Sequence, residues 1–136
     1  MPEFLSPPWL RELDRAVRAA TGVSALAPIV IEQVVNEVPG RGAVSYRFHV
    51  DAGGARVTVG PFVEGDAPAR ADVRLTTDYA TAVAIARGTE NAQIALSRGR
   101  LRLGGDIDTL VRRAAALTAL GDATAALRAV TTYPPP

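Results

Sequence analysis

A chain of 136 residues, 21% charged and 48% hydrophobic, is long enough for one domain with its own core and has the balance of a globular protein rather than a disordered one. Fifteen basic residues against fourteen acidic ones leave a formal net charge of +1, too weak a field to gather a polyanion, so no nucleic-acid partner is expected. With no cysteine and one histidine, His49, the sequence excludes disulfides, thiolate chemistry and most transition-metal sites, and neither a metal nor a cofactor is expected.

The N-terminus, MPEFLSPPWLRELD, carries acids early and lacks a basic start followed by an apolar stretch, so it does not read as a secretory signal. No apolar run reaches the roughly 18 residues of a membrane span, so stable membrane insertion is not expected and a cytoplasmic location is. Ser6 followed by Pro7 and Pro8 reads as an N-cap with proline in the first turn. Trp9, Leu10, Leu13, Val17 and Ala20 then recur at helical spacing, predicting a helix over residues 7–21 with Gly22 as its stop.

IVIEQVVNEV at 29–38 is rich in β-branched residues, PGRG at 39–42 is a turn, and residues 43–51 alternate, which predicts a hairpin. On its second strand Val44, Tyr46, Phe48 and Val50 share one face, expected dry, while Ser45, Arg47, His49 and Asp51 share the other, expected wet. AGG at 52–54 turns the chain into a third strand, ARVTVGPF, completing an antiparallel meander. VEGDAPARA at 63–71 reads as a loop and ADVRLTT as a short fourth strand.

From Asp78 the period changes. DYATAVAIARG fits a helix closed by Gly88, Thr89 is placed to cap a short helix containing Ala92, Ile94, Ala95 and Leu96, and residues 99–103 predict a fifth strand. Asp106 then caps a helix with Ile107, Leu110, Val111, Ala114 and Leu117 on one stripe, Gly121 ends it, and Asp122 caps a last alanine-rich helix before the prolines at 134–136. One domain is expected over 1–136: an N-terminal helix and lead-in over 1–28, a core over 29–130 and a proline-rich tail over 131–136.

RGRLRLGGDIDTLVRR at 98–113 has the glycine spacing of a phosphate loop at Gly99 and Gly104, but Gly105 and Asp106 stand where such a loop needs a lysine and a hydroxyl. Arg98, Arg100 and Arg102 alternate with Gly99, Leu101 and Leu103, so they read as a solvated strand face. All fifteen basic residues are arginine, the codon usage of a GC-rich genome such as an actinobacterial one, which lowers the information in any one arginine. His49 has no cysteine to activate and no assigned serine. Glu32 and Glu37, five apart on a strand, point to opposite faces. Asp106 and Asp108 begin a helix, where carboxylates cap amides and suit the macrodipole. Trp9 and Tyr79 could stack on a ligand, but each falls on the apolar side of its helix and reads as core. Alanine-rich helices fill little volume per turn, and the gap they leave over Tyr46, Phe48, Val57, Val59, Leu101 and Leu103 is either closed tightly or left as an apolar cavity.

Three features in order, the meander at 29–62, DVRLTTDYATAVAIARG and ALSRGRLRLGGDIDTLVRRAAAL, give the chain its resemblance to the sterol carrier protein type 2 family, in the form of a small bacterial stand-alone member. Gly99, Leu101, Gly105 and Asp106 occupy its G-x-L-x-x-x-G-D positions, and the likeness runs from about residue 29 to 130. It implies an α/β (α+β) fold in which a five-stranded, mainly antiparallel sheet is covered by helices on one face, with an apolar tunnel between. It also implies non-catalytic binding or carriage of a lipid-like ligand such as a fatty acid, fatty acyl-CoA or sterol. Tyr46, Phe48, Val57, Val59, Leu101, Leu103 and Leu117 are the candidate lining residues, chosen for apolar-face position. Two alternatives stay open: a structural or interaction module, as a homodimer or the partner of an enzyme, and a small enzyme drawing polarity from Arg47, His49 or Tyr46.

Overall fold

The computed structural model describes residues 2–19, 28–62, 71–112, 121–122 and 124–135. Helix α1 (Pro7–Arg18) starts as the sequence predicts: the Ser6 hydroxyl accepts from the Trp9 amide at 3.3 Å, and the two prolines occupy first-turn positions whose amides have no helical partner. Its buried stripe is Trp9, Leu10, Leu13 and Val17. The helix ends at Arg18, three residues before the expected end, with Ala19 as its C-cap. The expected stop, Gly22, lies outside the described residues.

Strands β1 (Ile29–Val38), β2 (Gly42–Asp51) and β3 (Gly54–Val59) form the expected antiparallel meander. β4 (Val73–Asp78) lies parallel to β1 on the side away from β2, and β5 (Leu101–Gly105) pairs antiparallel with β4, so the order across the sheet is β3-β2-β1-β4-β5. The sheet is therefore five-stranded and mixed, with a single parallel pair. Register assigns every strand residue to a face. Ile31 pairs with Phe48 and Val73, Gln33 with Tyr46 and Leu75, Val35 with Thr77, and Leu75 and Thr77 with Leu103 and Leu101. These residues make the inner face, against which the helices lie.

The outer face is not wet at its centre, contrary to the alternation-based expectation, although Arg56, Arg74 and Arg102 around it are exposed. Arg47 and His49 are each 5% exposed and Glu32 2%. Glu32 accepts from Arg47 Nε at 2.9 Å and from Arg74 Nε at 2.6 Å, the Phe62 ring lies 4.1 Å from the Arg47 guanidinium, and His49 Nε2 lies 2.7 Å from Thr58 Oγ1. Alternation separates two faces but cannot say whether the polar one stays in water. Here ion pairing and the ring of Phe62 let it be buried.

Asp78 ends β4 and caps α2 (Tyr79–Ala86) through the Thr81 amide at 2.7 Å, and Asn91, not the expected Thr89, caps α3 (Ala92–Ser97). β5 starts at Leu101, two residues later than expected. Arg98 is thus the C-cap of α3 and Arg100 pairs with Glu90, which leaves Arg102 alone on the strand. Asp106 caps α4 (Ile107–Arg112) as expected, accepting from the Thr109 amide at 3.0 Å. Gly105 has φ +93° and a Cβ there would lie 2.3 Å from the Asp72 carbonyl oxygen, the same oxygen that accepts from the Asp106 amide at 2.7 Å. Gly105, which stands where a phosphate loop would need its lysine, is a requirement of this close approach.

Residues 113–120, with the expected stripe positions Ala114 and Leu117, lie outside the described residues. Gly121 has helical backbone, not the helix-ending role expected of it, and Arg128–Val130 forms a short 3-10 turn. The C-terminal segment returns to the N-terminus: the Phe4 amide donates to Thr132 O at 2.8 Å and the Thr132 amide to Pro2 O at 2.9 Å. Among the described residues no helix is long and apolar enough to cross a membrane.

Candidate functional site

Between the inner face of the sheet and the helices lies a cavity of about 360 Å³. Its floor is the register row already described: Ile31, Gln33 and Val35 from β1, Tyr46 and Phe48 from β2, Leu75 and Thr77 from β4, and Leu101 from β5. Its roof carries mainly small side chains, Ala82 and Ala86 of α2, Ala92 of α3 and Ala125, with Ile85 and Leu127 between them. A methyl group reaches only a short way from a helix axis, so α2 covers the floor without filling the space above it. The volume lies near the lower end of the roughly 300–1,000 Å³ usual for small-molecule pockets.

One wall is a continuous series of aromatic rings. Tyr133 stands 5.3 Å from Phe4, Phe4 4.9 Å from Trp9, Trp9 6.4 Å from Tyr46 and Tyr46 5.6 Å from Phe48, centroid to centroid, three of the four contacts edge-on or nearly so. All five rings border the cavity. Two of their polar atoms are satisfied by neighbouring side chains: Trp9 Nε1 donates to Thr131 Oγ1 at 3.1 Å, and the Tyr46 hydroxyl donates to Gln33 Oε1 at 3.1 Å. Burial pushes the Tyr46 phenol far above its ordinary range, so it remains a neutral donor. A surface of this kind presents apolar area and quadrupoles to an occupant while leaving few polar groups to satisfy.

The residues expected from the sequence divide. Tyr46, Phe48 and Leu101 border the cavity. Val57 is buried on β3, where α1 packs and Asp14 Oδ1 accepts from the Val57 amide at 2.8 Å, and it does not reach the cavity wall. Val59, at the end of the same edge strand, is 55% exposed. Leu103 packs against the core beside the cavity without bordering it. Leu117 lies outside the described residues. The cavity is thus centred over β2, β1 and β4, because α1 occupies the space above β3.

Sequence reasoning missed Phe4, Trp9 and Tyr133 as wall residues, and Ile31, Gln33 and Leu75 as floor. For the floor a signal existed: pairing the hairpin about its PGRG turn puts Ile31 and Gln33 on the face of Tyr46 and Phe48, although the bulge between Val35 and Val38 sets the partners themselves. For the aromatic wall the sequence raised only Trp9, and read it as core; for Phe4 and Tyr133 no signal existed, since they meet only when the two ends of the chain pair. The polar groups suggested for a small enzyme separate in the same way. Tyr46 faces the cavity, whereas Arg47 and His49, its neighbours in alternation, stand on the outer face. Burial and the nearby Arg56 and Arg47 hold the His49 imidazole below its ordinary pKa, only partly opposed by Asp51. Among the described residues no group of three or more His, Cys, Asp or Glu side chains is placed to hold a metal ion.

Comparison with known proteins agrees with this architecture. The model of the SCP-2 sterol transfer family matches residues 11–118. A crystal structure of sterol carrier protein 2 superposes with a TM-score of 0.68 at 22% identity, covering 90% of this chain and 98% of the other. The solution structure of a conserved Thermus thermophilus protein, described as possibly a sterol carrier protein, gives 0.66 at 25% identity over 93% and 91%. The palmitated sterol carrier protein 2-like 2 of Aedes aegypti gives 0.58 at 22% identity over 82% and 93%. No curated protein sequence matches the chain significantly.

Proposed function

The chain belongs to the SCP-2 sterol transfer family, and from that premise we propose that it binds a lipid-like ligand non-covalently between sheet and helices, as a carrier and without catalysing a reaction. The observation that carries this reading is the roughly 360 Å³ cavity with its aromatic wall and alanine roof. Hydrocarbon entering it leaves water at a gain of about 0.8 kcal/mol per buried methylene. A saturated chain fits such a surface because it asks for no hydrogen bonds.

Trp9 is the only tryptophan and borders the cavity, so its fluorescence reports occupancy directly. Titration with saturated fatty acids of increasing length is expected to give micromolar binding that tightens with each methylene and then levels off once the cavity is full. Absence of binding by fatty acids, acyl-CoA and sterol alike at micromolar concentration, by fluorescence and by native mass spectrometry, would overturn the carrier function.

A second reading, a homodimer or a partner module, draws support from Val59 on the edge strand and from Ile94 and Leu96 on α3, all exposed. It requires a concentration-dependent mass in sedimentation, and a monomer throughout the micromolar range removes the homodimer.

A further inference from the structure

Among the described residues every side chain that borders the cavity is uncharged except Arg128. Arg128 follows the roof and folds back onto the end of α2, where its Nε donates to the Ala86 carbonyl at 2.5 Å. That bond uses one of the five guanidinium donors and occupies a helix C-terminal carbonyl that would otherwise repel an anion. Gly88 leaves space for the group: a Cβ there would lie 3.3 Å from Arg128 Nη1. Arg87, one residue beyond α2, stands with its guanidinium carbon 5.6 Å from the centroid of the Tyr133 ring, itself part of the cavity wall.

The Arg128 side chain and the Tyr133 ring border the same cavity, and the Arg87 guanidinium stands beside that ring. Burial raises the Tyr133 phenol above its ordinary range, opposed by the positive charges of Arg128 and then Arg87 and by a hydrogen bond with Thr131. The hydroxyl stays protonated and able to donate. Arg47, Arg74 and Arg100 each face a carboxylate, but among the described residues neither Arg87 nor Arg128 pairs with an acid. Arg128 thus borders the apolar cavity without a paired acid among the described residues, and Arg87 stands beside the Tyr133 ring of its wall.

We propose that Arg87, Arg128 and Tyr133 form a head-group subsite for an anionic amphiphile, so that the protein selects a single-chain carboxylate or phosphate over an uncharged lipid. The proposal rests on the reading of the cavity as a lipid site and adds its specificity. A carboxylate and a phosphate monoester present the same feature, oxygen acceptors spaced for a guanidinium fork. An alcohol of equal chain length fills the cavity as well but offers the fork no charge.

The test compares palmitate, hexadecyl phosphate and hexadecanol on the intact chain, by Trp9 fluorescence and native mass spectrometry at low salt. Both anions are expected to bind about tenfold more tightly than the alcohol, the scale of a charge-assisted hydrogen bond at a partly exposed site. The preference should shrink at high salt, and the tighter of the two anions identifies the head the subsite takes. In a double variant, Arg87→Gln with Arg128→Gln, the preference should be lost. Equal binding of all three ligands by the unaltered protein overturns the subsite while leaving the carrier function intact, and needs no variant to fold. Retention of the preference in a folded double variant also overturns it. Failure of all three to bind overturns both.

Discussion

Both faces of the sheet are buried at the centre of β1 and β2, yet they are built differently. On the outer face Glu32, Arg47 and Arg74 close a row of ion pairs, with the Phe62 ring over the Arg47 guanidinium. On the inner face aromatic and aliphatic side chains leave about 360 Å³ without protein atoms to fill it. A charge taken out of water must be matched on the spot, because leaving it unmatched costs several kcal/mol, so the outer face is complete without a ligand. Apolar surface tolerates a void at a smaller cost, in lost dispersion contacts, and a ligand can restore them. Burial alone therefore does not locate function, whereas the contrast between a saturated face and an unfilled one does.

This contrast predicts a ranking of effects. Glu32→Gln should be the most damaging, removing the carboxylate from the buried Arg47 at a cost of about 3 kcal/mol, or a fall in Tm on the order of 10 °C by calorimetry. Little change would mean that the outer face is not the closed network described. Ala86→Phe, in the roof, should leave Tm unchanged or raised but weaken fatty-acid binding about tenfold, near 1.4 kcal/mol, because the ring occupies the volume the ligand needs. A loss of stability there as large as that of Glu32→Gln would show the cavity to be packed space and erase the difference between the faces.

Tyr46→Phe should cost about 1 kcal/mol by denaturant titration, the usual worth of one neutral hydrogen bond, here the one to Gln33. It should leave fatty-acid affinity nearly unaltered, since the ring remains in the wall. The smallest effect concerns pH. The His49 imidazole is held below its ordinary value of 6.5, mainly by burial and then by Arg56 and Arg47, so the fold favours the neutral ring. Its contribution is complete above the unfolded value and is lost as the pH falls through the folded one. Stability should therefore decline on acidification below about 6.5, and His49→Gln should flatten that part of the profile.

Much of this was legible in the sequence because it is set by neighbours along the chain. The Ser6 cap, the hairpin about PGRG, the change of period at Asp78 and the Asp106 cap each depend on residues within a few positions. The glycine of RLGGD was visible, but its reason was not: Gly105 is needed because Asp72, more than thirty residues earlier, brings its carbonyl against that turn. Alternation correctly separated Tyr46 and Phe48 from Arg47 and His49, yet it misjudged the polar side as wet, since nothing local announces the pairing of Glu32 with both Arg47 and Arg74.

The same division runs through the candidate site. The sequence by itself determined the order of elements, the two sets of strand residues and the small side chains of α2, since propensity, period and capping act over a few residues. Only the tertiary structure decided that β4 lies beside β1, that α1 covers Val57 instead of leaving it to the cavity, and that the rings of Phe4 and Tyr133 meet where the two ends of the chain pair. It likewise brought Arg128 to the border of the cavity and Arg87 beside the Tyr133 ring. The volume of a cavity and the charge at its rim depend on the separation of elements distant in sequence, and that separation is fixed by how whole layers pack.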